Sequence, residues 1–156
     1  MLKIDAEKLA KELMQEHMPE LVNQKGWGFG WHNSVHKFGV CRYGKRTITL
    51  STQLVGMNDA ERVKRTVLHE IAHALAGSKA KHGKKWQAIC IKLGGDGQTY
   101  WSDENTTRVP PKYIGTCPNG HQSYAYRQRR TKSSCGKCSN VYDPKYLITY
   151  RPNIAM

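Results

Sequence analysis

Two histidines four residues apart, with a glutamate directly after the first, constrain this chain more than any other stretch: His69-Glu70-Ile71-Ala72-His73. On a helix that spacing stacks both imidazoles on one face, one turn apart, as a pincer for a single metal ion. Zinc in a hydrolytic site takes three protein ligands and keeps a fourth position open, so a third partner is needed, and His82 is the nearest candidate. Glu70, not itself a ligand, is placed to take a proton from water at the open position as it attacks a carbonyl. Amide hydrolysis is the chemistry this set implies.

The neighbouring residues describe a helix with two separate faces. At about 100° per residue, Arg62, Thr66, His73 and Ala76 fall within about 60° of the line through His69. Val63, Val67, Leu68, Ile71, Ala74 and Leu75 fill the opposite side. Histidines used for packing would not segregate from the apolar stripe in this way. Asn58 with Glu61 reads as a capping-box start and Gly77 as a left-handed stop, which predicts the helix over 59–77. A short basic loop, 78–82, follows. Trp86, Ile89, Cys90 and Leu93 then repeat at helical spacing before Gly94-Gly95, so a second helix should hold that loop.

Upstream, Ala6, Leu9, Ala10, Leu13 and Met14 predict a packing helix over 5–18, with Asp5 as N-cap and Pro19 past its end. Trp27, Phe29 and Trp31 alternate with glycines, and on a strand they share one face, expected to be core. Residues 39–43 and 46–51 read as a β-hairpin joined by a tight primed turn at Gly44-Lys45. Cys41 and Cys90 sit in apolar patterns as buried thiols. Residues 96–111, polar and rich in breakers, form a surface linker.

Beyond Pro111 the pattern changes to short β-like segments, 112–116, 122–127 and 146–151, broken by turns and cysteines. Cys117-Pro-Asn-Gly-His121 and Cys135-Gly-Lys-Cys138 form two knuckles of soft or borderline ligands, suited to a closed tetrahedral structural zinc. A segment this short and this poor in apolar residues needs such a staple. The commoner first knuckle carries a cysteine where Gly120 stands. Between the knuckles, Tyr124 and Tyr126 would share a strand face as platforms for unstacked bases, with Arg127, Arg129, Arg130 and Lys132 reaching phosphates. A solvated basic hairpin with tyrosines packed on the ribbon would look the same.

Charge points the same way. The formal net charge is +13, which favours a polyanionic partner, nucleic acid before an acidic membrane. Residues 1–20 are net acidic, residues 110–156 set eight Lys and Arg against Asp143 alone, and the rest of the excess lies around the histidine motif. Five cysteines, an odd number, fit metal ligation in a reducing compartment better than a disulfide framework. With no apolar run near membrane length and no signal-peptide core, a cytoplasmic protein with no membrane partner is expected.

Taken together, residues 27–31, 39–51, 67–77 and 82–86 and the terminal ribbon resemble the SprT-like family of zinc metalloproteases, the group that includes Spartan. The resemblance implies an α+β fold: a minimal, gluzincin-like zincin core over 1–109, with a small β-sheet against the HExxH helix, then a β-rich zinc-ribbon subdomain over 110–156. It implies one catalytic zinc on His69, His73 and His82 with Glu70 as general base, beside one structural zinc on Cys117, His121, Cys135 and Cys138. Its substrates would be proteins bound or crosslinked to DNA, with DNA, single-stranded or at unpaired ends, sensed by the ribbon. A monomer acting in DNA-protein crosslink repair is the expectation, nucleoid-associated in a bacterium or in the host cytoplasm if phage-encoded. A nucleic-acid-binding regulator with little proteolysis, and a small zinc hydrolase for an acidic substrate, are the competing readings. No oxyanion stabiliser is singled out among Tyr100, Trp101 and the basic loop.

Overall fold

The computed structural model describes residues 1–99 and 106–154. The chain is α+β and divides into two compact units, Met1–Val109 and Pro110–Met156. Tyr100 and Trp101 lie outside the described residues. Among the described residues no helix is long and apolar enough to cross a membrane.

The first unit runs α1 (Lys3–His17), α2 (Pro19–Asn23), β1 (Gly28–His32), β2 (Gly39–Arg42), β3 (Thr47–Ser51), α3 (Thr52–Gly56), α4 (Ala60–Ala76) and α5 (Lys84–Lys92). Its sheet has the order β1-β3-β2, with β1 parallel and β2 antiparallel to β3. β3 is therefore central, and Ile48 and Leu50 are fully buried. α1 and α4 close over the sheet, placing Ala6, Ala10, Leu13 and Met14 against Val63, Val67, Leu68 and Ile71 in one core.

Several local expectations are corrected. α1 begins at Lys3 without a side-chain cap, so Asp5 sits in the first turn, where its charge favours the helix dipole. Pro19 does not merely follow a helix but opens α2 at its first turn, where a missing N–H is harmless. Of the three aromatics around β1, Trp27 is buried, whereas Phe29 and Trp31 are half-buried because β1 is an edge strand. The β2–β3 connection is wider than a two-residue turn: a 3-10 turn, Tyr43–Lys45, leads into Arg46 in the left-handed region at φ 48°.

The start of α4 also moves by one residue. Asp59 is the N-cap, its Oδ1 accepting the Arg62 N–H at 2.7 Å. Asn58 is unavailable for that role because its buried side chain is used elsewhere. Its Nδ2 donates to the carbonyls of Leu54 and Thr107, and its Oδ1 accepts the Thr107 N–H at 2.9 Å. At the other end, Gly77 has φ 84° and ψ 158°, outside the expected left-handed helical region but in territory that only glycine occupies without strain.

In the second unit, β4 (Tyr113–Thr116), β5 (Gln122–Ala125) and β6 (Thr149–Pro152) form an antiparallel sheet of order β5-β4-β6. The strands are shorter than expected. Cys135 joins this frame through its N–H, which donates to the Tyr146 carbonyl at 2.9 Å.

Asn58→Ala should destabilise the first unit by about 1–3 kcal/mol, because it leaves two backbone acceptors and one donor without partners. In urea the unfolding midpoint should fall with little change in slope; an unchanged midpoint would remove Asn58 from this role.

Candidate metal centres

α4 presents three sides. Val63, Val67, Leu68, Ile71 and Ala74 face the main core, while Ala72 and Ala76 pack on Trp86 and Cys90 of α5 in a second cluster. Ala76 thus belongs to packing rather than to the polar face. The third side carries Arg62, Thr66, His69, Glu70 and His73 into a cavity of about 570 Å³.

His82 joins them from beyond the helix. After Gly77 a 3-10 turn, Ser78–Ala80, leads to Lys81 at φ 47° and ψ −127°, a conformation unfavourable for a residue with a Cβ. That bend returns the chain so that His82 Nε2 lies 3.0 Å from His73 Nε2 and 3.2 Å from His69 Nε2. Gly83 then starts α5. The Trp86 ring, fully buried, stacks on His73 at 5.2 Å and meets His69 and His82 edge-on at 4.7 and 4.6 Å. Its Nε1 donates to the His69 carbonyl at 3.4 Å. Sequence periodicity reads Trp86 only as an apolar helix position; the structure makes it the floor under three imidazoles.

Electrostatics keep those rings neutral. Burial holds His69 down at about 3, with His73 and His82 adding to the effect, and burial with His82 holds His73 at about 4. Burial lowers His82 as well. Near neutral pH each ring therefore keeps a nitrogen lone pair. Glu70 is only 7% exposed, and burial pushes its carboxyl up to about 7, against the pull of the Cys41 backbone N–H and of Lys37. A carboxyl near neutrality can both take and return a proton.

The β2 edge lies hard against this carboxylate. A Cβ on Gly39 would stand 2.8 Å from Glu70 Cγ, Glu70 Oε1 and Thr66 Cγ2, so only glycine lets the strand approach. Cys41 is half-buried and lines the cavity, where burial and the Glu70 charge push its thiol up to about 12. It is not the enclosed thiol expected from sequence, unlike Cys90. The Tyr43 hydroxyl donates to the His73 carbonyl at 2.9 Å and pins the 3-10 turn to the end of α4. Neither Gly39 nor Tyr43 is marked as a site residue by motif spacing; the visible clue is a glycine opening a strand.

In the second unit, Cys117, His121, Cys135 and Cys138 bring their donor atoms within 4.8 Å of one another. Gly120 at φ 78° makes the first knuckle possible, donating its N–H to the Cys117 carbonyl and turning His121 inward. His121 Nδ1 lies 3.7, 3.6 and 3.2 Å from the sulfurs of Cys117, Cys135 and Cys138. Cys117 Sγ is 3.8 Å from Cys138 Sγ. The Cys-x3-His knuckle thus brings its imidazole nitrogen in among the three sulfurs.

Both donor sets fit zinc. Tetrahedral ligands at about 2.0–2.1 Å for nitrogen and about 2.3 Å for sulfur stand roughly 3.3–3.8 Å apart, close to the spacings found in both clusters. Three neutral imidazoles leave one position open, whereas the Cys3His cluster closes its own.

The basic segment of the ribbon is arranged differently from expectation. β5 ends at Ala125, so Tyr126 leaves the strand and does not continue the Tyr124 face; Tyr124 is 56% exposed. Arg127, Arg129, Arg130 and Lys132 are exposed in the loop that follows. Arg129, Arg130 and Lys132 line a cavity of about 500 Å³ with Tyr113 and Tyr150, and the Arg129 guanidinium stands 6.0 Å from the Tyr150 ring. Tyr124, Tyr126 and Arg127 do not line it. Gly115 makes room for Tyr150, since a Cβ there would come within 2.6 Å of its ring.

A helix that carries two imidazoles and a buried carboxylate, with a third imidazole returned from the following turn, defines an HExxH metallopeptidase-like site. The chain belongs to the SprT-like family, whose model matches residues 6–110. Comparison with curated proteins and with solved structures finds no match.

Gly39→Ala should push β2 away from Glu70 and Thr66 and destabilise the first unit by about 1–3 kcal/mol, the usual range for overpacking. Thermal unfolding reads the loss, and a native melting temperature would contradict the close approach.

Proposed function

We propose that this chain is a DNA-associated zinc endopeptidase that cleaves proteins bound or crosslinked to DNA. The observation that carries the reading is the convergence of His69, His73 and His82 beside Glu70 in a cavity open to solvent. Zinc held by the three imidazoles supplies Lewis acidity toward a scissile carbonyl and lowers the pKa of water. Glu70 takes the proton of the attacking water and delivers it to the amine as the C–N bond breaks. The Cys41 N–H and the Gly39 gap hold its carboxylate in position. Tyr43 and Trp86 fix the backbone and rings of the helical ligands.

Cys117, His121, Cys135 and Cys138 would hold a second, structural zinc, and the ribbon would present its cations to phosphates. Support for a nucleic-acid role is the juxtaposition of Arg129, Arg130 and Lys132 with the Tyr113 and Tyr150 rings, a combination that suits backbone contact and base stacking. Selection of substrate by shared attachment to DNA then follows from effective concentration rather than from a peptide motif.

The native chain should cleave a DNA-bound protein faster when DNA is present, and Glu70→Gln should lower the rate about 10²–10⁴-fold while retaining zinc. Full activity in Glu70→Gln would remove the assigned base. DNA binding with no cleavage by the native chain would instead favour a nucleic-acid-binding zinc-ribbon regulator.

Metal analysis gives a separate check. Two zinc ions per chain are expected, falling to one in His82→Ala and to one in Cys138→Ser, with only the second variant losing ribbon stability. A native content of one zinc would eliminate one of the two centres.

A further inference from the structure

Acidic residues are absent from two long stretches of the first unit, 21–58 and 71–95. Those stretches form the two banks of the metal cavity. Lys37, Val40 and Tyr43 line it from one side, and Ser78, Lys81 and His82 from the other. The bond from the Tyr43 hydroxyl to the His73 carbonyl fixes the first bank to the end of α4, from which the second departs.

Lys37 and Lys81 line the cavity from the two sides, and Arg42 and Lys45 in the first stretch and Lys79 and Lys84 in the second are exposed close to them along the chain. None of these six has an ion-pair partner among the described residues. Lys85 is different, since its Nζ donates to the Ala76 carbonyl and closes the helix end. Among the described residues, the acids that line the cavity do not offset the six: Glu70 is buried, and Asp96 is paired with Arg65.

We propose that the first unit is itself a nucleic-acid contact surface, with backbone phosphates held along both banks of the cavity mouth. The cations are mostly lysines, flexible point charges without the fork geometry that reads a particular group, which suits sequence-independent contact with a regular row of phosphates. An acidic protein segment, with irregular charge spacing, fits a two-sided row less well. What the contact achieves rests on the endopeptidase reading: nucleic acid at the mouth keeps an attached protein within reach of Glu70. Binding itself does not depend on cleavage.

The test uses the full chain carrying Glu70→Gln, with binding of a labelled single-stranded oligonucleotide followed across a salt series. Arg42→Gln, Lys45→Gln, Lys79→Gln and Lys84→Gln together should reduce the log-log salt slope by about 3, at roughly 0.7 for each single-strand phosphate. The reduction should add to that caused by Arg127→Gln, Arg129→Gln and Arg130→Gln. Unchanged melting and zinc content establish that the fourfold variant is folded. A native slope in the folded variant overturns the proposal, as does polyglutamate matching the oligonucleotide in affinity and in sensitivity to the four changes. Failure of the native chain to cleave any protein defeats the endopeptidase reading and leaves this measurement intact.

Discussion

The first unit depends on burying a carboxylate and two imidazoles along the flank of a helix whose other sides are core. Burial of charge in a low-dielectric setting is unfavourable, and the chain accommodates it by keeping His69 and His73 neutral and by raising Glu70 toward its protonated form. The same desolvation prepares the site. Neutral imidazoles need lose no proton before ligating a cation, and a dication among them would turn Glu70 toward its anion. Packing and function are here one arrangement, because Ile71 and Val67 anchor the helix that aims His69, Glu70 and His73.

The second unit solves a different problem. Its apolar interior is slight, with Ala125, Cys117 and Cys135 the hydrophobic residues buried among its described positions. A cluster of four ligands spanning Cys117 to Cys138 ties two turns that strand pairing alone would hold weakly, and a metal bound there contributes its binding energy to folding. The match to the family ends at residue 110, where this unit begins. Its chemistry is therefore read from its own residues.

Much of this was legible before the structure. Spacing alone brought out His69, Glu70 and His73, since helical period is a local property, and the Trp86 repeat ending at Gly94-Gly95 announced the helix that follows His82. What stayed hidden was set by distant pairing. The parallel union of β1 with β3 is non-local, so the hairpin expected at Gly44-Lys45 captured only half of the sheet. Asn58 reads as a cap because its type and position suit one, but a partner 49 residues away claims its side chain. Tyr113 and Tyr150 come together only across β4 and β6, where Gly115 leaves the gap. Tyr126 fell off its expected face because β5 stops at Ala125, two residues short of the expected end.

The connector between the second and third imidazoles shows how that distant geometry is enforced. Gly77 and Lys81 both occupy conformations that most residues avoid, and at Lys81 a side chain bears the strain, typically about 1–3 kcal/mol. Such a bend persists only if the surroundings leave no alternative. Trp86 supplies the constraint: it is fully buried, touches all three imidazoles and hydrogen-bonds the His69 carbonyl. Gly83 completes it by donating its N–H to the Ala80 carbonyl at 2.8 Å, closing the turn beneath His82. Relaxing Lys81 would therefore require lifting α5 from α4 and exposing a tryptophan, a larger loss than the strain, at roughly 3–5 kcal/mol for the packing of such a side chain. The third imidazole is thus held by a core contact of the helix behind it, which explains how an exposed loop residue can be positioned as closely as the two on α4.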